Sequence, residues 1–176
     1  MEGGSSAPKP PDARCSLRPA EASDREFLFE LYASTREAEL AQVDWPAEIR
    51  LQFLRQQFEA QDAHYRTYFH DTSYDVVLVD AIPAGRLYVG RWRDEIRIVD
   101  IALLPAYCGR GVGTQLISRL IAEADASGRK TSIHVERQNP ALRLYERLGF
   151  RLAEDKGVYL FLERTPGESP RTPPAP

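Results

Sequence analysis

Residues 103–117 read "LLPAYCGRGVGTQLI", and Cys108–Gly113 packs three glycines into six residues. Glycine is costly inside regular structure, so such a cluster marks a bend or a place where something comes close to the backbone. The apolar stretch before it ends at Pro105. After it, Leu116, Ile117, Leu120, Ile121 and Ala124 line one face of a helix that Gly128 closes. The amides that open such a helix have no intrahelical partner and point out of its positive end, which makes a strand–glycine–helix junction a ready anion site. A P-loop would need Lys-Ser or Lys-Thr after the last glycine, and the chain has Thr114-Gln115 there. A dinucleotide fingerprint spaces its glycines G-x-G-x-x-G, whereas Gly109, Gly111 and Gly113 alternate. Taken alone, the loop reads equally well as a tight turn with no ligand.

Working outward, Tyr74–Asp80, Gly85–Trp92 and Glu95–Leu104 read as three strands. The connections "AIPA" and "RD" are short enough for hairpins and predict antiparallel neighbours. Upstream, "CSLRPA" suits a short first strand. Ser23–Glu26 matches a capping box, followed by Phe27, Leu28, Leu31 and Tyr32 at helical spacing. Trp45-Pro46 breaks that pattern, and Pro46 suits the first turn of a second helix running to about Ala63. Downstream lies the strand "TSIHVE", then "NPALRLYERLG" with Asn139 as N-cap, Pro140 at the first helical position and Gly149 as C-terminal cap. "VYLFLER" closes the series. The fold class is α/β, a mixed and mostly antiparallel central sheet in the order β-α-α-β-β-β-α-β-α-β.

The chain of 176 residues fits one domain, placed at 15–164. Residues 1–14 are rich in Gly, Ser and Pro, and residues 165–176 are rich in Pro, so both read as disordered tails. The net charge is −3 with no Lys/Arg run, which argues against a nucleic-acid partner. Two cysteines, Cys15 at the tail boundary and Cys108 in the glycine loop, make neither a disulfide framework nor a metal site. The N-terminus lacks the apolar core of a signal peptide and nothing reaches membrane-span length, so the chain reads as cytoplasmic.

"LLPAYCGRGVGTQLI" followed by "IHVERQNPALRLYERLGF" resembles the GNAT family of N-acetyltransferases. The family's signature is Q/R-x-x-G-x-G/A after a Val-x-Pro strand end, then a strand, Asn and "A-x-x-LYEKLGF". Leu103-Leu104-Pro105 fills the strand end, Gly111-Val112-Gly113 the glycines, and Ala141 to Phe150 the last piece. The element order is also the family's, from about Ser16 to Arg164. Two departures stand out: Cys108 replaces the usual Gln or Arg, and Asn139 lies one residue nearer Tyr145 than is common.

The resemblance implies transfer of an acetyl group from acetyl-CoA to a primary amine by direct attack on the thioester. It implies a pyrophosphate on the loop Cys108, Gly109, Arg110, Gly111, Val112, Gly113 and Thr114, with Asn139 beside the cofactor. It also implies a pantetheine lying like a strand along the backbone near Ile101 and Leu103, where two strands splay. Tyr145 matches the family's proton donor to the departing thiolate; with a reference pKa of about 10, a phenol keeps its proton at neutral pH. His134 stands where the ribosomal-protein alanine acetyltransferases carry a catalytic Glu, and imidazole suits a base working near neutrality. Glu136 on the same face, Glu95, Asp100 and a chain of waters are alternatives, and Arg97 fills the position of the histone-type acid. For the acceptor, Asp44 beside Trp45 could hold an ammonium, and Gln57, Gln61 and Tyr65 form a stripe on the second helix that a solvated face would also explain. The acceptor's identity stays open, as does a homodimer joined at sheet edges. The rival reading is a non-catalytic acyl-CoA-binding module of the same fold.

Overall fold

Alternating apolar residues in the middle third of the chain build a meander, which other strands extend at both edges and helices cover on both faces. A computed structural model describes residues 15–167. Of the tails expected at 1–14 and 165–176, residues 1–14 and 168–176 lie outside the described residues, while 165–167 are described, with the Gly167 amide donating to Asp125 at 3.1 Å. The elements are β1 (Cys15–Pro19), α1 (Arg25–Leu40), α2 (Ala47–Tyr68), β2 (Thr72–Val79), β3 (Ile82–Arg91), β4 (Glu95–Leu103), α3 (Val112–Ser127), β5 (Lys130–Glu136), α4 (Leu142–Arg147), β6 (Arg151–Lys156) and β7 (Tyr159–Arg164). They form a seven-stranded sheet in the order β1-β2-β3-β4-β5-β7-β6, with β4–β5 the parallel pair among otherwise antiparallel neighbours.

Side chains alternate across a strand, so each sheet face has its own character. One face carries Val77, Val79, Leu87, Val89, Ile96, Ile98, Ile133 and Val135, which pack with Val112, Leu116, Ile117, Leu120 and Ala124 of α3 and with Tyr145 of α4. The other face lies under α1 and α2, whose own apolar residues Leu28, Phe29, Tyr32, Leu40, Leu54 and Phe58 form a second cluster. Two irregularities shape the sheet. Between β2 and β3 the register shifts at Val77/Leu78, which accommodates Pro83 in a strand. Between β3 and β4, Tyr88 pairs with Asp100 and Val89 with Ile98, leaving Val99 as an extra residue in β4.

Several sequence expectations change. The β2–β3 connection is the two-residue turn Asp80-Ala81, both at positive φ, and not "AIPA"; β3 begins at Ile82. The second helix continues past Ala63 to Tyr68. Cys15, read at the tail boundary, starts β1 opposite Val79 as the strand "CSLRPA" would have it, and burial pushes its thiol pKa up. The capping arrangement falls two residues before Ser23, because the Asp24 carboxylate accepts from the Glu21 amide at 2.8 Å and from Arg18 at 2.6 and 2.7 Å. An additional strand, β6, separates α4 from the last strand. It is exposed along its length as the sheet edge, so "RLAEDK" carries no apolar alternation to betray it.

Asp24 is buried, and the Arg18 guanidinium, helped by the Glu21 amide, holds its carboxyl below the usual range. A lowered folded pKa contributes stability above the unfolded value, lost as pH falls through the folded one. Asp24→Ala should therefore cost about 1–3 kcal/mol at pH 7 in a denaturant titration. Asp24→Asn should flatten part of the fall in stability below about pH 4.

Candidate active site

The glycine loop closes where β4 hands over to α3. A short turn, Pro105–Tyr107, ends the strand, and Gly109 and Gly111 then take φ of 71° and 85°, a conformation that disfavours any side chain. Gly111 is the residue before α3, and no side chain caps the helix. The first bond of α3 runs from the Gln115 amide to the Gly111 carbonyl, and the Cys108 amide donates to Pro105. Between them, among the described residues, the amides of 109–114 donate to no protein acceptor. Space around Gly109 and Gly111 is open to 4 Å. Six consecutive unsatisfied donors at the positive end of a sixteen-residue helix suit a diphosphate, and that arrangement fits the pyrophosphate of a coenzyme A group. The Cys108 thiol turns back on the carbonyls of Leu104 and Leu103 at 3.6 and 3.7 Å, and Arg110 remains exposed.

Next to the loop, β4 and β5 part. They pair over Glu95–Ile98 and Lys130–Ile133. Beyond that point β4 stays on β3 as far as Leu103, and β5 stays on β7 as far as Glu136. The Val99 bulge sits at the fork. The gap runs alongside the Ile101 and Leu103 backbone, whose side chains pack on the α3 face. A cleft of about 480 Å³ opens here, lined from α1, α2, β3, β4, β5 and α4.

Tyr145 lines this cleft from the α3 face. Its ring is buried against Phe150, and burial, with the charge of Asp100, pushes its phenol well above the ordinary value. His134 lies on the opposite face, exposed at its edge and stacked on Phe161 at 4.5 Å. Partial burial, then Arg97 and Lys156, hold its imidazole below the usual pKa, so it is neutral at pH 7. Arg97 grips the Glu95 carboxylate at 2.9 and 3.1 Å. Glu136 lines the cleft and faces Arg36 of α1 at 3.7 Å. Asn139 also lines it, but its side-chain oxygen accepts from the Ala141 amide at 2.8 Å; residues 139–141 form a turn, and α4 begins at Leu142 rather than Pro140.

Of the stripe suggested by sequence, Gln61 and Tyr65 reach the cleft, as does Glu136, the alternative base also proposed for acceptor binding. Gln57 is exposed outside it. Asp44 is exposed in the α1–α2 connection, and Trp45 packs edge-on against Phe53 at 5.2 Å. What sequence reasoning underrated is a polar group under α2. Arg86 of β3, 4% exposed, ion-pairs Asp100 at 2.5 Å and donates to Gln61 at 2.9 Å. Burial, and next the charge of Asp100, push the Tyr65 phenol well above its ordinary value; Tyr88 is pushed up to about 12, again mostly by burial. The one available signal was charged residues at inward positions of strands otherwise rich in Val and Ile.

Gly111→Ala would place a Cβ at positive φ beside the unpaired amides, at a folding cost of about 1 kcal/mol. Calorimetric titration with acetyl-CoA should show at least about tenfold weaker binding, equivalent to about 1.4 kcal/mol, with the melting temperature nearly kept.

Residues 26–150 match the acetyltransferase (GNAT) family. A curated relative, the [ribosomal protein bS18]-alanine N-acetyltransferase of Haemophilus influenzae, is 40% identical over 67 residues, which cover 38% of this chain and 46% of the relative. The matched stretch thus spans about half the length of that relative. Among solved structures, the PaiA N-acetyltransferase of Thermoplasma acidophilum in complex with coenzyme A superposes with a TM-score of 0.65 at 16% identity, covering 86% of this chain and 99% of the other. The ribosomal-protein-S18-alanine N-acetyltransferase of Escherichia coli gives 0.58 at 18% identity, covering 89% and 96%. The unpaired amides, the forked strands and the family match agree: the chain belongs to the acetyltransferase (GNAT) family, whose acyl donor is acetyl-CoA.

Proposed function

We propose that the protein transfers an acetyl group from acetyl-CoA to a primary amine by direct attack on the thioester. The run of six amides at 109–114 with no internal acceptor carries this reading, because it anchors a diphosphate within reach of the β4–β5 fork. Bound there, the thioester supplies an activated acyl carbon. The backbone of β4 beside the fork, near Ile101 and Leu103, offers amides that would stabilise the negative charge growing on the acyl oxygen. The amine nitrogen forms the new C–N bond as the C–S bond breaks.

Two protons then need handling. Tyr145, protonated at any physiological pH because its phenol is raised, donates to the departing sulfur. His134, neutral because its imidazole is lowered, takes the proton released by the amine. The remaining loop contact comes from the Arg110 charge, since the Cys108 amide is taken by the Pro105 carbonyl, and Asn139 fixes the turn between β5 and α4. The acceptor tested first is an alanine N-terminus, the group acted on by the curated relative. No described helix is long and apolar enough to cross a membrane, and the compartment we propose is the cytoplasm.

Release of free thiol from acetyl-CoA in the presence of an alanine-starting peptide tests the transfer; tight coenzyme binding with no amine acetylated would favour the non-catalytic module instead. Tyr145→Phe should lower kcat by about 10²-fold while acetyl-CoA still binds. Loss of a base whose pKa is lowered has a definite sign: wild-type activity should fall only below the ordinary imidazole range, near pH 6.5, as His134 takes up its proton. His134→Gln should remove that acid limb from the pH–rate profile, and a profile left unchanged would take the role from His134.

A further inference from the structure

Beneath α2, three side chains from three elements meet at one nitrogen. The Arg86 Nη2 touches Asp100 Oδ2 at 2.5 Å and donates to Gln61 Oε1 at 2.9 Å. Arg86 itself is 4% exposed, so it serves as a fixed internal clamp and not as a surface ligand. The clamp has two effects. It holds Asp100 and Gln61 side by side, and it decides which way round the Gln61 amide lies. With the oxygen committed to Arg86, the amide NH₂ is left as a donor. Both Asp100 and Gln61 line the cleft. Asp100 is the first residue past the Val99 bulge, where β4 leaves β5, and Tyr65 of α2 lines the same cleft. Its charge is also felt by Tyr145 across the fork. Any amine approaching a thioester in that fork from the α1–α2 side passes over this carboxylate.

We propose that Asp100 and Gln61, locked together by Arg86, read an α-aminoacyl acceptor: Asp100 receives the ammonium, and the Gln61 amide donates to the carbonyl oxygen on the neighbouring carbon. This rests on the transferase reading above and names its substrate class. An amino acid or a peptide N-terminus carries that ammonium–carbonyl pair. A lysine ε-amine or a polyamine has methylenes where the carbonyl would be, and leaves the Gln61 donor facing apolar carbon, which costs binding. Tyr32 and Tyr65 on the same wall provide ring surface for the aliphatic part of such an acceptor.

The test compares Ala-Gly-Gly amide, 1-propylamine, Nα-acetyllysine amide and spermidine with the full-length protein by thiol release. The peptide should exceed the other three by about tenfold or more in kcat/KM, the discrimination expected when a built hydrogen bond is used. Gln61→Met should lower the ratio of kcat/KM for the peptide to that for 1-propylamine, which has no carbonyl, by about tenfold. Asp100→Asn should raise the KM for both amines and leave the affinity for acetyl-CoA unchanged. Preference for spermidine or the lysine derivative, or equal losses for both amines in Gln61→Met, would overturn the proposal. If no amine is acetylated, Ala-Gly-Gly amide is titrated into the protein–CoA complex by calorimetry. Binding that Asp100→Asn abolishes would keep the acceptor assignment while the transferase reading fails, and absence of peptide binding would overturn the assignment too.

Discussion

The rest of the molecule depends on how few residues β4 and β5 can share. They pair over four positions and no more, because the extra residue Val99 turns β4 off the common plane. Each strand is nevertheless secured on its outer side, β4 by β3 and β5 by β7, so the fork stays open without leaving either strand loose. An open ladder exposes peptide groups that elsewhere would be satisfied. Those groups, together with the amides at the start of α3, are the ones we propose to receive an extended, phosphate-bearing cosubstrate.

Around the fork, charge is buried where packing alone would have been simpler. Arg86 and Asp100 sit in the middle of strands otherwise filled with Val, Leu and Ile, covered by α2 and framed by Tyr65, Tyr74 and Tyr88. A buried pair of this kind is weak support for stability, since desolvation offsets most of the attraction. Its presence at the cleft is better explained by orientation: it fixes a carboxylate and an amide in one arrangement. The opposite face shows the contrast. There α3 contributes aliphatic residues in regular helical spacing, and the rigidity needed by the phosphate loop comes from ordinary hydrophobic packing.

What the sequence made legible follows from which signals are local. The glycine cluster marked a bend and Gly128 a helix end, and the structure puts Gly109, Gly111 and Gly128 at positive φ. The apolar face of α3 and the meander β2–β3–β4 could be read from periodicity and short connections, with the β2–β3 turn misplaced by two residues because Pro83 looked like a turn residue and proved to lie beside a bulge. The edge strand β6 left no trace, since a strand exposed along its length has no pattern to show. The site divided in the same way. The loop and Tyr145 sit inside contiguous motifs. Asp100, Arg86 and Gln61 are far apart in sequence and become a unit only through cross-strand register and the lie of α2, which no spacing rule reveals. For that reason Asp44, singled out beside Trp45, and Gln57, on the helical stripe, stand outside the cleft, while Gln61, one turn beyond Gln57, lies within it.

The sheet also separates two tasks by side. In the function proposed, the groups that hold the donor arise from the α3 side and its preceding loop, whereas those that meet the amine hang from α1, α2 and the reverse surface of β3 and β4. Between them stands only the thickness of one strand layer. Exchanging residues on the helical hairpin therefore disturbs neither the glycine turn nor the aliphatic packing that holds it, so such a scaffold can drift from one acceptor to another while its appetite for the same thioester persists.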